Sequence, residues 1–204
     1  MLERYPNLSE CKSDILKALE LILDTYKSGG KLLLCGNGGS AADCEHIVGE
    51  LMKGFLKKRP LDEDKKAQMR RNCPSLDEGV LSKLQNALTA ISLPSFCALN
   101  TAFSNDVDGE LVFAQALLGL AREGDVLLAI STSGNAKNVT ECAKVARALG
   151  LSVIALTGKD GGMLRELSQV CIIAPERKTY KIQELHLPIY HALCASVEER
   201  FFEE

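Results

Sequence analysis

The sequence predicts an α/β fold: a doubly wound parallel sheet of five strands with helices on both faces. Short apolar runs bounded by turn residues are typical of buried strands, and here they alternate with segments of helical periodicity. Such alternation indicates crossover connections, which keep the strands parallel and cover both faces of the sheet. No Ser/Gly linker divides the 204 residues, so we predict a single domain over 1–204.

Each element follows from its local pattern. Apolar runs predict strands at 31–35, 126–131, 152–157 and 169–174, and a fifth at 95–100. Helices are predicted at 9–27, 40–57, 76–92, 107–122, 136–149, 162–168 and 179–202. The stretch at about 60–93 breaks the alternation, because it is highly charged at first and then has the apolar spacing of an amphipathic helix. We interpret 60–93 as an insertion within the domain.

Composition and charge exclude several classes of protein. Hydrophobic residues make up 46% of the chain and charged residues 25%, as in globular proteins. No apolar run approaches the roughly 20 residues of a membrane span, and the N-terminus has no apolar signal core, so we expect a cytoplasmic protein with no membrane partner. The net charge of −3 argues against a nucleic acid partner. The basic residues at 57–59 and 65–71 are interpreted as a solvated loop.

The eight cysteines indicate no special chemistry. They are scattered and form no CxxC pair, and several lie inside apolar runs. In a domain of this size such a pattern predicts reduced, mostly buried thiols.

A glycine-rich turn follows the first predicted strand. Asn37, Gly38, Gly39 and Ser40 lead directly into the next helix, for which Ser40 is a natural N-cap. Glycines let the backbone turn sharply and approach a ligand, and ligands of open α/β sheets bind at this carboxyl edge. The turn therefore indicates a binding site, with a plain capped turn as the alternative. Its spacing fits neither a Walker loop nor a dinucleotide fingerprint.

A second polar loop follows the strand at 126–131. Ser131, Thr132 and Ser133 offer three hydroxyls directly before a helix, and Lys137 lies in its first turn. Hydroxyls, free helix amides and the positive end of the helix dipole together suit a phosphate group. A helix cap would need only one of these hydroxyls, and it is the alternative interpretation.

All three histidines fall in the two predicted helices that flank these loops. His46 and Glu50 are four residues apart and share one helix face, while Gln183 and His191 are eight apart and can converge on one side. Two imidazoles with a carboxylate and an amide oxygen suit a cation such as zinc. The same groups could act as acid and base without a metal, or form a structural hydrogen-bonded set. Spacing does not choose between His186 and His191.

Together these motifs resemble the phosphoheptose isomerases, also called sedoheptulose 7-phosphate isomerases, of the sugar isomerase (SIS) class. The resemblance covers nearly the whole chain except 60–93. The residues that carry it lie at 35–43, 46–50, 105–106, 123–125, 130–135, 156–162, 182–186 and 191.

The resemblance implies a flavodoxin-like SIS fold that assembles as a homotetramer, with active sites at subunit contacts. It implies a zinc ion held by His46, Glu50, Gln183 and His191, which favours His191 over His186. The implied reaction converts D-sedoheptulose 7-phosphate to D-glycero-D-manno-heptose 7-phosphate through an enediol, with Glu50 as base and His191 as acid. The residues implied to face substrate are Asn37, Gly38, Gly39, Ser40, Glu50, Asn105, Asp106, Ser131, Thr132, Ser133 and Gln183.

Three positions depart from the family pattern. Ala136 stands where a serine is usual, Tyr180 where an aspartate is usual, and Gly54 where an arginine is usual, with Lys53 beside it. These departures and the insertion bear on which sugar is bound. A SIS relative of lyase or epimerase type, or a non-catalytic SIS module that binds a phosphosugar as a regulator, is the alternative function. Modules of the regulatory kind typically lose the paired acid and base, which are both present here.

Overall fold

The protein contains a five-stranded parallel sheet in the order β2-β1-β3-β4-β5, in a computed structural model that describes residues 1–202. Each neighbouring pair of strands is parallel, which confirms the predicted doubly wound α/β class. The strands are β1 Leu32–Cys35, β2 Ala90–Ser92, β3 Val126–Ser131, β4 Ser152–Thr157 and β5 Val170–Ile173.

Helices cover both faces of this sheet. In chain order they are α1 Lys12–Lys27, α2 Gly39–Met52, α3 Glu63–Asn72, α4 Glu78–Leu81, α5 Cys97–Phe103, α6 Val112–Leu120, α7 Lys137–Ala148, α8 Leu164–Leu167 and α9 Thr179–Phe201. Shorter 3-10 segments lie at Pro6–Cys11 and Leu93–Ser95, and a π-helical turn at Ser104–Asp108.

Side chains of the central strands alternate between two cores. Leu32 and Leu34 of β1 pack with α1, α2 and α9, while Leu33 and Cys35 face the opposite core with α6 and α7. All four are buried, as expected for a central parallel strand that is covered on both faces. Because β1 pairs directly with β3, the loops that follow these two strands are neighbours at one edge of the sheet.

Two predicted elements are wrong. Residues 95–100 do not form a strand, because α5 begins at Cys97 and the edge strand is Ala90–Ser92 instead. The helix predicted at 76–92 is reduced to the single turn α4. Its later apolar residues do not line a helix face: Leu88 and Ala90 are buried in the core as extended chain beside β1. Pairing of this segment with β1 therefore outweighs the helical spacing of its apolar side chains.

The predicted insertion contains three elements with different surroundings. Asp62 and Asp77 cap α3 and α4 by accepting hydrogen bonds from the amides of Lys65 at 2.7 Å and Val80 at 3.0 Å. No residue of α3 is buried, whereas β2 at the end of the segment belongs to the sheet. The first part of 60–93 therefore lies on the surface.

Two further expectations concern the state of the cysteines and the presence of a membrane-spanning helix. All eight cysteines are free, and five of them are buried. Among residues 1–202, none of the helices combines the length and apolar character that crossing a membrane requires.

Candidate active site

A pocket opens where β1 and β3 end. It brings the two predicted loops together with the start of α9, and its lining residues are Asn37, Gly38, Gly39, Ser40, Ile130, Ser131, Thr132, Ser133, Ala136, Thr179 and Gln183. The loops meet because Cys35 and Ala129 are paired in register near the ends of their strands. The structure thus assembles the loop residues that the family resemblance implies to face substrate.

The first loop needs both of its central glycines. Gly38 has a φ of 56°, in the left-handed region that favours glycine, and it turns the chain into α2. A Cβ on Gly39 would lie 2.5 Å from Nε2 of Gln183, so glycine lets the Gln183 amide pack directly on the loop, and any larger residue would displace it. The helix begins at Gly39, and Ser40 therefore lies in its first turn and is not the predicted N-cap. The Asn37 amide exchanges hydrogen bonds of 2.7 and 2.9 Å with Asn138 of α7.

The second loop leaves the start of α7 without a side-chain cap. Ala136 is the N-cap residue, and within residues 1–202 no side chain caps the first amides of the helix. Free N-terminal amides beside Ser131 and Ser133 suit a phosphate. The ammonium of Lys137 pairs with Glu110, whose hydrogen bond and charge raise the pKa of Lys137.

A cluster of three polar side chains joins α2 to α9. Nε2 of His46 lies 3.1 Å from Oε1 of Glu50 and 3.3 Å from Nε2 of His191. Potential ligand atoms of the three residues lie within 4.8 Å of one another. His46 and Glu50 share a face of α2, as their spacing predicted.

Tyr190 and Asp43 support this cluster from behind. The Tyr190 hydroxyl donates to Oδ1 of Asp43 at 3.2 Å and lies 3.0 Å from Nδ1 of His46. Since a hydroxyl has one hydrogen, we assign the His46 proton to Nδ1, which leaves a lone pair on Nε2. Nε2 and the Glu50 carboxylate oxygen are then both electron-pair donors, so they face each other as ligands of a shared cation do and not as a hydrogen-bonded pair. This chain of contacts was not predicted from the sequence, although Asp43 lies three residues before His46 on α2.

Burial shifts the pKa values of Tyr190, which supports the cluster, and of His191, which faces His46. Burial, followed by the nearby Asp43 carboxylate, raises the pKa of Tyr190, which keeps its hydroxyl protonated. Burial also lowers the pKa of His191; His46 adds to this effect and Glu50 opposes it. An uncharged His191 ring retains a lone pair for a proton or a cation.

The donor set fits a divalent metal ion. Two ligand atoms held at about 2.0–2.1 Å by a tetrahedral zinc ion lie roughly 3.3 Å apart. The two separations centred on His46 Nε2, 3.3 and 3.1 Å, are close to that value. His46, Glu50 and His191 could therefore serve as ligands of such an ion.

Comparison with known proteins identifies the family. A family model described as SIS domain matches residues 5–86 and 79–158. The chain is similar to a phosphoheptose isomerase from Nitratiruptor sp., with 39% identity over 94% of this chain and 89% of that protein. A second, from Akkermansia muciniphila, is 33% identical over 98% of this chain and 92% of that protein. The chain belongs to the phosphoheptose isomerase family of SIS-domain proteins.

Solved structures of the phosphoheptose isomerase family have the same fold. The structure of such an enzyme from Neisseria gonorrhoeae matches with a TM-score of 0.75 and 32% identity, over 96% of this chain and 93% of that chain. One from Francisella tularensis also gives a TM-score of 0.75, with 29% identity over 92% and 86% of the two chains.

Not every residue singled out from the phosphoheptose isomerase pattern lies in the pocket. Asn105 and Asp106 lie in the exposed π-helical turn, where the Asn105 amide donates to Oδ1 of Asp106 at 2.8 Å. Within the described part of the chain, neither residue lines the pocket between the loops after β1 and β3. His186 is fully buried, and its Nε2 lies 3.0 Å from the Thr157 carbonyl oxygen. His191, not His186, joins the cluster with His46.

The backbone conformation explains why position 54 departs from the family pattern. The Gly54 amide donates to Oε1 of Gln85 at 2.8 Å, and a Cβ on Gly54 would lie 2.3 Å from the Lys57 carbonyl oxygen. This conformation excludes any side chain at position 54. Lys53 instead places its Nζ 3.4 Å from Oε2 of Glu50.

Proposed function

We propose that this protein is an aldose–ketose isomerase that converts D-sedoheptulose 7-phosphate to D-glycero-D-manno-heptose 7-phosphate. The observation that carries the proposal is the convergence of Glu50 and His191 from α2 and α9, the two helices whose first residues line the hydroxyl-rich pocket. A module that only binds a phosphosugar needs the pocket and has no use for a paired base and acid. Membership of the phosphoheptose isomerase family supports the same reaction.

The phosphate end of the substrate would bind at the second loop. Ser131, Thr132 and Ser133 offer hydroxyls, and the uncapped start of α7 offers amides and the positive end of its dipole. Asn37, Gly38, Gly39 and Ser40 form the facing wall of the pocket. Gln183 packs on Gly39 and lies on the same helix as His191, so it would contact the sugar between the phosphate and the reacting carbons.

The reaction moves one proton between neighbouring carbons. Glu50 takes the proton from the carbon next to the carbonyl group, and His191, in its protonated form, donates a proton to the carbonyl oxygen, which gives an enediol. Return of the proton from Glu50 to the other carbon, with loss of the hydroxyl proton to His191, completes the exchange. No electrons leave the substrate, so the reaction needs no redox cofactor.

We further propose that His46, Glu50, Gln183 and His191 hold a zinc ion, as the family resemblance implies. A bound zinc ion would act as a Lewis acid that polarises the substrate carbonyl. The resemblance also predicts a homotetramer with active sites at subunit contacts, and the exposure of Asn105 and Asp106 on one protomer agrees with a site that another subunit completes. Cytoplasmic location remains a prediction.

The test is hydrogen exchange in deuterated water. The metal-loaded protein is incubated with a panel of sugar phosphates, and deuterium at C1 and C2 is followed by NMR. We expect exchange with sedoheptulose 7-phosphate, and a loss of at least about 100-fold in Glu50→Gln. Glu45→Gln is the matched control, because Glu45 lies on the same helix and accepts a hydrogen bond from Ser95 at 3.0 Å, outside the cluster.

Absence of exchange with every ketose phosphate, despite tight binding, would refute the isomerase function. The metal has its own test, which is elemental analysis of the purified protein beside His46→Ala. Equal zinc content in both proteins would contradict the proposed ligand set.

A further inference from the structure

A buried ion pair connects the two helices that carry the proposed base and acid. Nε of Arg59 donates to Oε1 of Glu198 at 2.8 Å, and the exposed fractions of the two side chains are 0% and 1%. Arg59 lies in the loop that follows α2, which carries Glu50. Glu198 lies on α9 seven residues after His191, which is about two helical turns.

The guanidinium of Arg59 closes the C-terminal end of α2. Nη1 donates to the carbonyl oxygen of Leu51 at 2.7 Å, and Nη2 donates to the carbonyl oxygen of Glu50 at 3.2 Å. Carbonyls in the last turn of a helix have no partner within the helix, and a cation there is also favoured by the helix dipole. One of the two carbonyls belongs to the proposed base itself.

The carboxylate of Glu198 organises the loop on the other side. It accepts hydrogen bonds from the backbone amides of Phe55, Leu56 and Lys57 at 2.9, 2.7 and 3.1 Å. Burial raises the pKa of Glu198, but the Phe55 and Leu56 amides and the Arg59 guanidinium outweigh it and hold the pKa below its usual value. The carboxylate is therefore charged at neutral pH, and its position on α9 fixes where the loop after α2 can lie.

We propose that Arg59 and Glu198 are positioning residues, which hold Glu50 on α2 at the correct distance from His191 on α9. The proposal rests on the proposed isomerase function. A buried ion pair adds little stability compared with apolar residues of the same volume. The directional hydrogen bonds of this pair instead define where one helix end lies against the other. A misplacement of about 1 Å between reacting groups can cost roughly 100-fold in rate.

The experiment compares Arg59→Lys with a matched break in a second buried ion pair. Asp125 accepts from Nζ of Lys31 at 2.5 Å and from the amides of Lys31 and Arg122, so its contacts resemble those of Glu198. Lys31 directly precedes β1 and Asp125 directly precedes β3, so this pair lies at the edge of the sheet opposite the pocket. Asp125→Asn therefore weakens a similar buried pair without touching α2 or α9.

For each protein we measure the urea unfolding free energy, the kcat and KM for sedoheptulose 7-phosphate, and the zinc affinity by competition with a chromophoric chelator. In Arg59→Lys we expect kcat and zinc affinity to fall about tenfold, with KM within about twofold. In Asp125→Asn we expect a loss of stability with kcat and zinc affinity within about twofold of the wild type.

The positioning role is refuted if Arg59→Lys loses stability as Asp125→Asn does but keeps wild-type kcat and zinc affinity. Should Arg59→Lys not fold, Glu198→Gln provides the same comparison, because it keeps the side-chain shape and an acceptor oxygen. An inactive wild-type protein would count against the isomerase function itself, and the zinc affinities would still test the positioning of the cluster.

Discussion

The buried imidazole of His186 makes the stability of this protein depend on pH. The residue is fully buried, its Nε2 donates to the Thr157 carbonyl oxygen at 3.0 Å, and its Nδ1 has no hydrogen-bond partner in the described part of the chain. Burial lowers the pKa of His186 to about 4, against the opposing effect of the hydrogen bond to Thr157. The folded protein therefore keeps this ring neutral where the unfolded chain binds a proton.

The size and sign of the effect follow from this difference in pKa. An unfolded histidine titrates near pH 6.5, so the stabilisation is present in full above that pH and is lost as the pH falls toward 4. Linkage gives a loss of about 2 kcal/mol between pH 7 and pH 5 from this group alone, and roughly 3 kcal/mol in all.

Urea unfolding of the wild type and His186→Gln between pH 5 and 8 measures this contribution. Glutamine can donate to the Thr157 carbonyl group, but it does not titrate. All other titratable groups are common to the two proteins, so their effects cancel in the difference. We expect the stability difference between the two proteins to shift by about 2 kcal/mol in favour of the variant from pH 7 to pH 5. Two parallel curves would show that His186 is not held neutral by burial.

Three further substitutions test the loops that form the pocket. Gly39→Ala places a Cβ against the Gln183 side chain, so we expect steady-state kinetics to show a rise in KM of about tenfold, while the urea unfolding midpoint stays unchanged. Ala136→Ser supplies the missing cap of α7, and we expect urea unfolding to show about 0.5–1 kcal/mol of added stability. Gly134 has a φ of 67°, and a Cβ there would lie 1.8 Å from the Gly161 carbonyl oxygen. In Gly134→Ala we therefore expect the free energy of unfolding to fall by at least about 3 kcal/mol. A soluble variant of wild-type stability would contradict the tight packing of this loop.

The strands that the sequence predicts correctly are those with a continuous apolar run bounded by turns. β1 and β3 are fully buried, which is typical of strands covered on both faces, and β4 is buried except at Ser152. β5 lies at the edge of the sheet and is half-buried at Cys171 and Ile173, but its apolar run is still unbroken. β2 has only three residues at the edge of the sheet, and it directly follows side chains with helical spacing. Its place depends on pairing with β1, which is a contact between residues almost sixty positions apart.

The two halves of the candidate site differ in the same way. The loops after β1 and β3 could be predicted, because turn residues at the carboxyl ends of adjacent strands meet wherever the sheet forms. The choice between His186 and His191 needed the orientation of α9, which decides that one ring faces Thr157 and the other faces His46. Helical spacing within α9 contains no information about that rotation.

Arg59 shows why a charged stretch can be misread. The prediction of a solvated loop at 57–59 is wrong for Arg59, which is fully buried. A guanidinium enters a core only when a partner neutralises it, and that partner, Glu198, lies 139 positions away. The same contact accounts for the departure at Gly54. Because Glu198 binds the amides of residues 55–57, the Lys57 carbonyl group is held where a side chain at position 54 would lie, so an arginine there would require the loop to leave Glu198.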